Sequence, residues 1–284
     1  MNVRHTISSS ANKGKPFLRW AGGKRWLIKH LESFLPETFN QYHEPFIGGG
    51  SIFLYLNPKK AFISDFNAEL IEAYDSVKNN PQEIIKHIKS FKNTKEEYLT
   101  IRTQNFQSAE KRAARFIYLN QTSFNGIYRV NSQGKYNVPY GHRTKYQFDF
   151  ENILEVSKVL KNINIFHADF MQCIENVKEN DLIFLDPPYT VTHNNNGFIQ
   201  YNQKIFSLED QHRLADLIQQ IKDKKAYYIL TNANHLKIRE IFDFGDEITE
   251  ISRASLIGGK GAVRGKYSEI IMTNIRREVN GIFN

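Results

Sequence analysis

Apolar residues in this chain gather in short runs that stop on a polar residue. KKAFISD ends at Asp65, INIFHAD at Asp169, DLIFLD at Asp186 and AYYILTN at Asn232, and SEIIMTN closes the series near the C-terminus. Runs this short and continuous predict strands covered on both faces. Between them the period lengthens. In SLEDQHRLADLIQQIKDKK, Leu214, Leu217, Ile218 and Ile221 share one helical face, and Ser207 and Asp210 have capping-box spacing. Strands alternating with helices predict an α/β fold built on a doubly wound, mostly parallel sheet.

Residues 68–150 break that rhythm. Two amphipathic helical stretches, PQEIIKHIKSFK and AEKRAARFIYLN, precede SFNGIYRVNSQGKYNVPYG, which alternates apolar and polar positions around NSQGK. That alternation with a Gly-containing turn predicts a β-hairpin. The segment reads as an inserted helical subdomain carrying a β-ribbon. It interrupts a sheet domain made of residues 1–67 and 151–284.

Composition narrows the partners. The 284 residues include 38 Lys and Arg against 30 Asp and Glu, a net charge of +8. A surplus of that sign suits a polyanion, and nucleic acid is the commonest. One cysteine, Cys173, excludes an internal disulfide and fits a reducing cytoplasm. No run reaches membrane-spanning length, and MNVRHTISSSANKGK lacks the apolar core of a secretory signal. The expectation is a cytoplasmic protein with no membrane partner. No metal is expected, because none of the nine histidines has ligand spacing with a second ligand.

In an open α/β sheet, ligands bind beyond the carboxyl ends of the strands. EPFIGGGS, Asp65, Asp169 and DPPY occupy that position. Glycines after an apolar run let the backbone turn tightly and approach a ligand. Asp65 has the chemistry to accept hydrogen bonds from ribose hydroxyls. The nicotinamide-dinucleotide fingerprint fails, since Phe53 stands where its third glycine belongs. The phosphate-binding P-loop fails too, with Leu18 in place of its first glycine and Arg25 after GGK.

DPPY, residues 186–189, is more specific, with a chance occurrence on the order of one in a thousand for a chain of this size. Two prolines end a strand by lacking N–H groups, but a plain terminator needs neither Asp186 nor Tyr189. The carboxylate of Asp186 and the carbonyl of Pro187 can face the same way and accept both hydrogens of one amino group. An exocyclic amine on a nucleobase is a poor nucleophile while its lone pair is delocalised into the ring. Two acceptors favour a tetrahedral nitrogen and release that pair. The ring of Tyr189 offers a stacking face for a base outside its helix.

FLRWAGGKRWL (17–27), EPFIGGGSIFL (44–54), SDFNAEL (64–70), FNGIYRVN (124–131), YNVPYG (136–141) and DPPY together resemble the Dam-type, D12-class DNA adenine-N6 methyltransferases. The blocks follow the family's order over nearly the whole chain, and the nearest likeness is to restriction-modification methylases of the DpnM kind. The resemblance implies a Rossmann-like, S-adenosylmethionine-dependent methyltransferase sheet with an inserted target-recognition domain. It implies methyl transfer to N6 of a flipped adenine in double-stranded DNA, within GATC, with a cognate endonuclease acting on the same site without being bound. It places Trp20, Lys24, Gly48, Gly50, Asp65, Asp169, Phe170 and Asp186 at the cofactor. Asp186, Pro187, Pro188 and Tyr189 fall at the chemistry, and Phe124, Asn125, Arg129 and Pro139 at the DNA. HRTKYQF (142–148) and SLIGGKGAVRGK (255–266) depart from the family's pattern; in the latter, Lys260, Arg264 and Lys266 suit phosphate contacts or a solvated loop. Rival readings keep the sheet but change the acceptor to RNA adenine or cytosine N4, or keep DNA binding without turnover.

Overall fold

The computed structural model describes residues 14–190, 206–254 and 266–276. The chain forms two compact units. The first gathers Leu31–Phe46 and the chain from Phe170 onward; the second gathers Ile47–Asp169 and the segment ending at His30.

The first unit holds β1 (Tyr42–Glu44), β4 (Leu182–Leu185), β5 (Tyr227–Ala233), β6 (Glu247–Ala254) and β7 (Lys266–Thr273). They lie in the order β1-β4-β5-β7-β6. β1, β4 and β5 run parallel, while β7 pairs antiparallel with both β5 and β6. Every residue of β4 is buried, as its unbroken apolar run predicts. Helix α8 (Leu208–Asp223) packs Leu214, Leu217, Ile218 and Ile221 against Ile183, Leu185, Tyr228, Leu230, Ile270 and Met272. Both halves of its capping box form. Ser207 Oγ accepts from Asp210 N at 3.1 Å, and Asp210 Oδ2 accepts from Ser207 N at 2.8 Å. At the opposite end of the strands, the buried Asp181 accepts from Gln41 N and Lys178 N and meets His43 Nε2 at 2.9 Å. This fixes where β1 and β4 begin. The short helix α9 (Leu236–Ile241) follows β5.

The second unit holds β2 (Ala61–Asp65) and β3 (Asn164–His167), paired in parallel from Phe62↔Asn164 to Asp65↔His167. Its helices are α2 (Ser51–Leu56), α3 (Ala68–Asn79), α4 (Pro81–Ser90), α5 (Lys95–Thr103), α6 (Ala109–Thr122) and α7 (Phe150–Leu160). A single turn, α1 (Ile28–Leu31), precedes them in the chain. Asn67, Thr94, Ser108 and Asp149 cap α3, α5, α6 and α7 through side-chain oxygens, satisfying N–H groups that the first turn leaves open.

The NSQGK turn forms as expected. Asn131 N donates to Lys135 O and Gly134 N to Asn131 O, both at 2.9 Å. The ribbon is joined at two isolated antiparallel bridges, Val130↔Tyr136 and Ser123↔Tyr140, rather than by a continuous ladder. Its support is aromatic. Tyr98, Tyr118, Tyr136 and Tyr140 bury their rings with Ile101 and Val138. Their hydroxyls reach backbone carbonyls at Val138, Lys92, Ile127 and Asn93, at 2.8–3.1 Å. A buried tyrosine ring with a satisfied hydroxyl contributes apolar area without an unpaired polar group.

Two strands depart from the sequence expectation. β3 is largely exposed instead of covered on both faces, because it lies at an edge and stacks Phe166 on Phe62. β6 was not signalled by an apolar run, since EITEISRA alternates, the pattern of a half-solvated antiparallel strand. Among the described residues, seven strands, mostly parallel, alternate with helices in an α/β fold. Among the described residues, no helix is long and apolar enough to cross a membrane.

Ser207→Ala removes the α8 cap and should lower stability by about 1 kcal/mol. Urea unfolding should show an earlier midpoint with an unchanged slope.

Candidate active site

In the second unit, polar groups collect where β2 ends. Asp65 is its last residue. Its carboxylate accepts from Gly48 N at 3.1 Å through one oxygen and from Asn67 N at 3.0 Å through the other. Burial raises its pKa to about 6, against the lowering pull of these N–H donors and of His167. The group is therefore mostly ionised at neutral pH and titrates just below it.

The glycine turn is shaped by its neighbours. Gly48 has φ +45°, and a Cβ there would sit 2.7 Å from Trp20 Cδ1. Gly50 has φ +66°, and a Cβ there would sit 2.7 Å from the Tyr74 hydroxyl, which donates to Gly48 O at 3.0 Å. Side chains are thus excluded twice at each position, by backbone conformation and by space. WAGGK forms a tight turn, with Gly23 N bonded to Trp20 O, followed by a short 3₁₀ segment, Lys24–Trp26. Lys24 is only 3% exposed, and its ammonium donates to Gly22 O at 2.9 Å. Asp169 ends this unit, two residues past β3.

The ribbon residues face outward. Phe124 is 52% exposed, and Asn125, Arg129 and Pro139 are exposed with it. Asn125 adopts φ +55°, a left-handed conformation that asparagine tolerates better than most residues. Arg129 is held from the opposite side of the ribbon, its Nε donating to Asn137 Oδ1 at 2.8 Å. An exposed aromatic and a braced, exposed guanidinium on a hairpin are features suited to a nucleic acid.

In the first unit, Asp186 is the first residue past β4. Thr231 of β5, fully buried, donates its hydroxyl to Asp186 Oδ1 at 2.8 Å. The Tyr189 hydroxyl donates to Glu269 Oε2 at 2.7 Å, and Glu269 of β7 is 2% exposed. Pro187 is buried and Pro188 partly so. A buried polar chain fixes the end of the motif. Gln211 Nε2 donates to Thr190 Oγ1 at 2.9 Å, and Asn232 Nδ2 donates to Gln211 Oε1 at 3.0 Å. Glu44, at the end of β1, accepts from the Tyr42 hydroxyl at 2.6 Å. Burial pushes the Tyr42 pKa well up, and the Glu44 and Asp186 carboxylates push it further.

Phe170 is mainly a core residue. It is 6% exposed, stacks on Phe46 at 5.3 Å and meets Phe206 at 5.5 Å, with the Arg213 guanidinium 4.8 Å from its ring centre. The geometry brings in Thr231, Glu269, Glu44 and Tyr74, which the sequence reading passed over. Their only sequence signal is a polar or hydroxyl-bearing residue within or beside an apolar run. His193, Lys260 and Arg264 lie outside the described residues, and nothing is described of the Lys266 side chain.

A family model for the D12 class N6 adenine-specific DNA methyltransferases matches residues 20–256. The chain is 39% identical to the type II methyltransferase M1.LlaDCHI of Lactococcus lactis subsp. cremoris, over 92% of this chain and 95% of that protein. It is 34% identical to the type II methyltransferase M.MjaIII of Methanocaldococcus jannaschii, over 91% and 98%. It is 30% identical to a DNA adenine methylase of Vibrio cholerae, over 91% and 95%. With most of its length matched by the family and near-complete alignment to such relatives, this chain belongs to the D12 class of N6 adenine-specific, S-adenosylmethionine-dependent DNA methyltransferases.

Proposed function

We propose that this enzyme reads duplex DNA with the ribbon within residues 68–150 and methylates the adenine of GATC. The catalytic domain in this reading comprises residues 1–67 and 151–284. The observation that carries the chemistry is Asp186, placed at the carboxyl end of a fully buried strand and oriented by a buried hydroxyl.

The residues present suit the cofactor. A nucleoside with an amino-acid tail needs an acceptor for ribose hydroxyls, a cation for a carboxylate and a turn free of side chains. Asp65, Lys24 and the Gly48–Gly50 turn have that chemistry. Trp20 walls the turn, and Asp169 and Phe170 are assigned to the adenine end. When bound, S-adenosylmethionine supplies a methyl group made electrophilic by its sulfonium.

The protein's work is position and electrostatics. Arg129 sets the register at a guanine by a bidentate contact, with Pro139 beside the pyrimidine edge. Phe124 fills the stack and Asn125 holds the strand as the adenine leaves it, at a cost of a few kcal/mol. Tyr189 stacks on the extruded base, its ring steadied by the bond to Glu269. Asp186 and the Pro187 carbonyl would accept from N6 and hold it toward the methyl group, whose bond to sulfur breaks as the new N–C bond forms, so that S-adenosylhomocysteine leaves and N6 gives up one proton to solvent. Pro188 keeps the strand from continuing. The +8 charge makes DNA affinity salt-dependent. The enzyme acts in the cytoplasm, beside a cognate endonuclease that shares the site but is not bound.

Asp186→Ala should reduce methyl incorporation by at least roughly 10²-fold with an unchanged melting temperature; near wild-type transfer would remove Asp186 from the mechanism. Mapping N6-methyladenine along unmethylated DNA should return GATC. In the same assay, Arg129→Ala should relax one guanine position by about 1–3 kcal/mol, whereas an equal loss at every site would make it a phosphate anchor. Cofactor affinity should fall as pH drops through about 6, because protonated Asp65 loses an acceptor. Titration of binding between neutral pH and pH 5 tests this, and Asp65→Asn should bind weakly with that pH step gone.

A further inference from the structure

We infer that Tyr128 is a positioning residue that couples cofactor binding to DNA reading. The inference rests on the assignment of Trp20 and Asp65 to the cofactor and of Arg129 to the DNA. Every contact it uses lies within the second unit.

Tyr128 precedes Arg129 in the ribbon. Its ring stacks on Trp20, with centroids 5.7 Å apart and planes 19° from parallel. Phe116 of α6 completes the layer, 5.4 Å from Tyr128 and 6.5 Å from Trp20. Tyr136, across the ribbon, meets Tyr128 edge-on at 5.9 Å. The Tyr128 hydroxyl donates to Glu69 Oε2 at 2.7 Å. Glu69 lies in the first turn of α3, directly beyond Asp65 and its capping Asn67. One side chain therefore touches the WAGGK turn through its ring and, through its hydroxyl, the first turn of the helix that follows β2.

A second link runs in parallel. Asn120 Oδ1 accepts from Arg19 N at 2.8 Å, while its amide donates to Arg19 O at 2.7 Å and to Gly126 O at 3.3 Å. The backbone beside Trp20 and the turn carrying Phe124 and Asn125 thus hang on one buried amide.

Contacts of this kind transmit order. A ligand that fixes Trp20 and the end of β2 removes freedom from Tyr128. The later ordering of Arg129 on a guanine then costs less. Linkage makes the effect reciprocal, so bound DNA must tighten the cofactor by the same factor.

The test measures binding without turnover, using the full chain, S-adenosylhomocysteine and a duplex carrying the mapped methylation site. In the wild type each ligand should tighten the other by one common factor, in the range of roughly 5–150. Tyr128→Leu should bring that factor to within about twofold of one, with each ligand's affinity alone changing less than the lost coupling. Tyr128→Phe, which keeps the ring and drops the Glu69 bond, should give an intermediate factor and guards against a Leu variant that fails to fold. A wild-type factor in both variants, with only a lowered melting temperature, would reduce Tyr128 to core packing and overturn the inference. Trp20→Leu tests the underlying assignment separately. It should weaken S-adenosylhomocysteine alone, and unchanged affinity would remove Trp20 from the cofactor site whatever Tyr128 does.

Discussion

A carboxylate in or just beyond a buried strand must have its charge met by hydrogen-bond donors packed against it. Asp65 is met by backbone N–H groups of Gly48 and Asn67. Asp186 is met by the hydroxyl of Thr231, Glu44 by that of Tyr42, and Glu269 by that of Tyr189. The two kinds of donor do different things. Backbone donors are fixed in direction and tie the carboxylate to the turn it shapes. A hydroxyl donates one hydrogen along a rotatable bond and orients the carboxylate oxygen it meets.

The glycine turn follows from the same constraint. For Gly48 N to reach Asp65, the chain must fold back immediately after Ile47. That folding brings it against Trp20 and Tyr74, where no Cβ fits. The glycines, Trp20 and Tyr74 are therefore one packing solution, and a change at any of them is felt by Asp65. Tyr128 extends that packing from Trp20 toward the ribbon. Trp20, assigned to the cofactor, and Tyr128, which precedes the Arg129 assigned to the DNA, share one aromatic layer of the second unit.

What the sequence made legible was local. Apolar runs located β2, β4, β5 and β7, and the capping box and apolar stripe of α8 appear where the spacing put them. DPPY, the glycine turn and the ribbon turn were readable because each is a short string with its own backbone chemistry. The supporting partners were not. Thr231 and Glu269 stand 45 and 80 positions from the residues they hold, and a threonine or glutamate inside a strand has no pattern that announces a partner. β3 was misread for a related reason. Its apolar run says that it pairs, but exposure depends on whether another strand lies beyond it, which only topology decides.

The chemistry open to the site is limited as much by Cys173 as by Asp186. Methylation at a ring carbon of cytosine needs a thiolate that first adds to the base. Burial pushes the Cys173 thiol up to about 12, with Lys224 opposing only weakly. It packs, partly buried, against the hydrophobic core of the first unit. A thiol held neutral in that environment is a packing group, not a nucleophile. An exocyclic amino group makes no such demand, because it brings its own lone pair and needs only acceptors and alignment. A carboxylate oriented by a neutral hydroxyl, followed by a carbonyl on a proline, supplies acceptors and nothing more reactive.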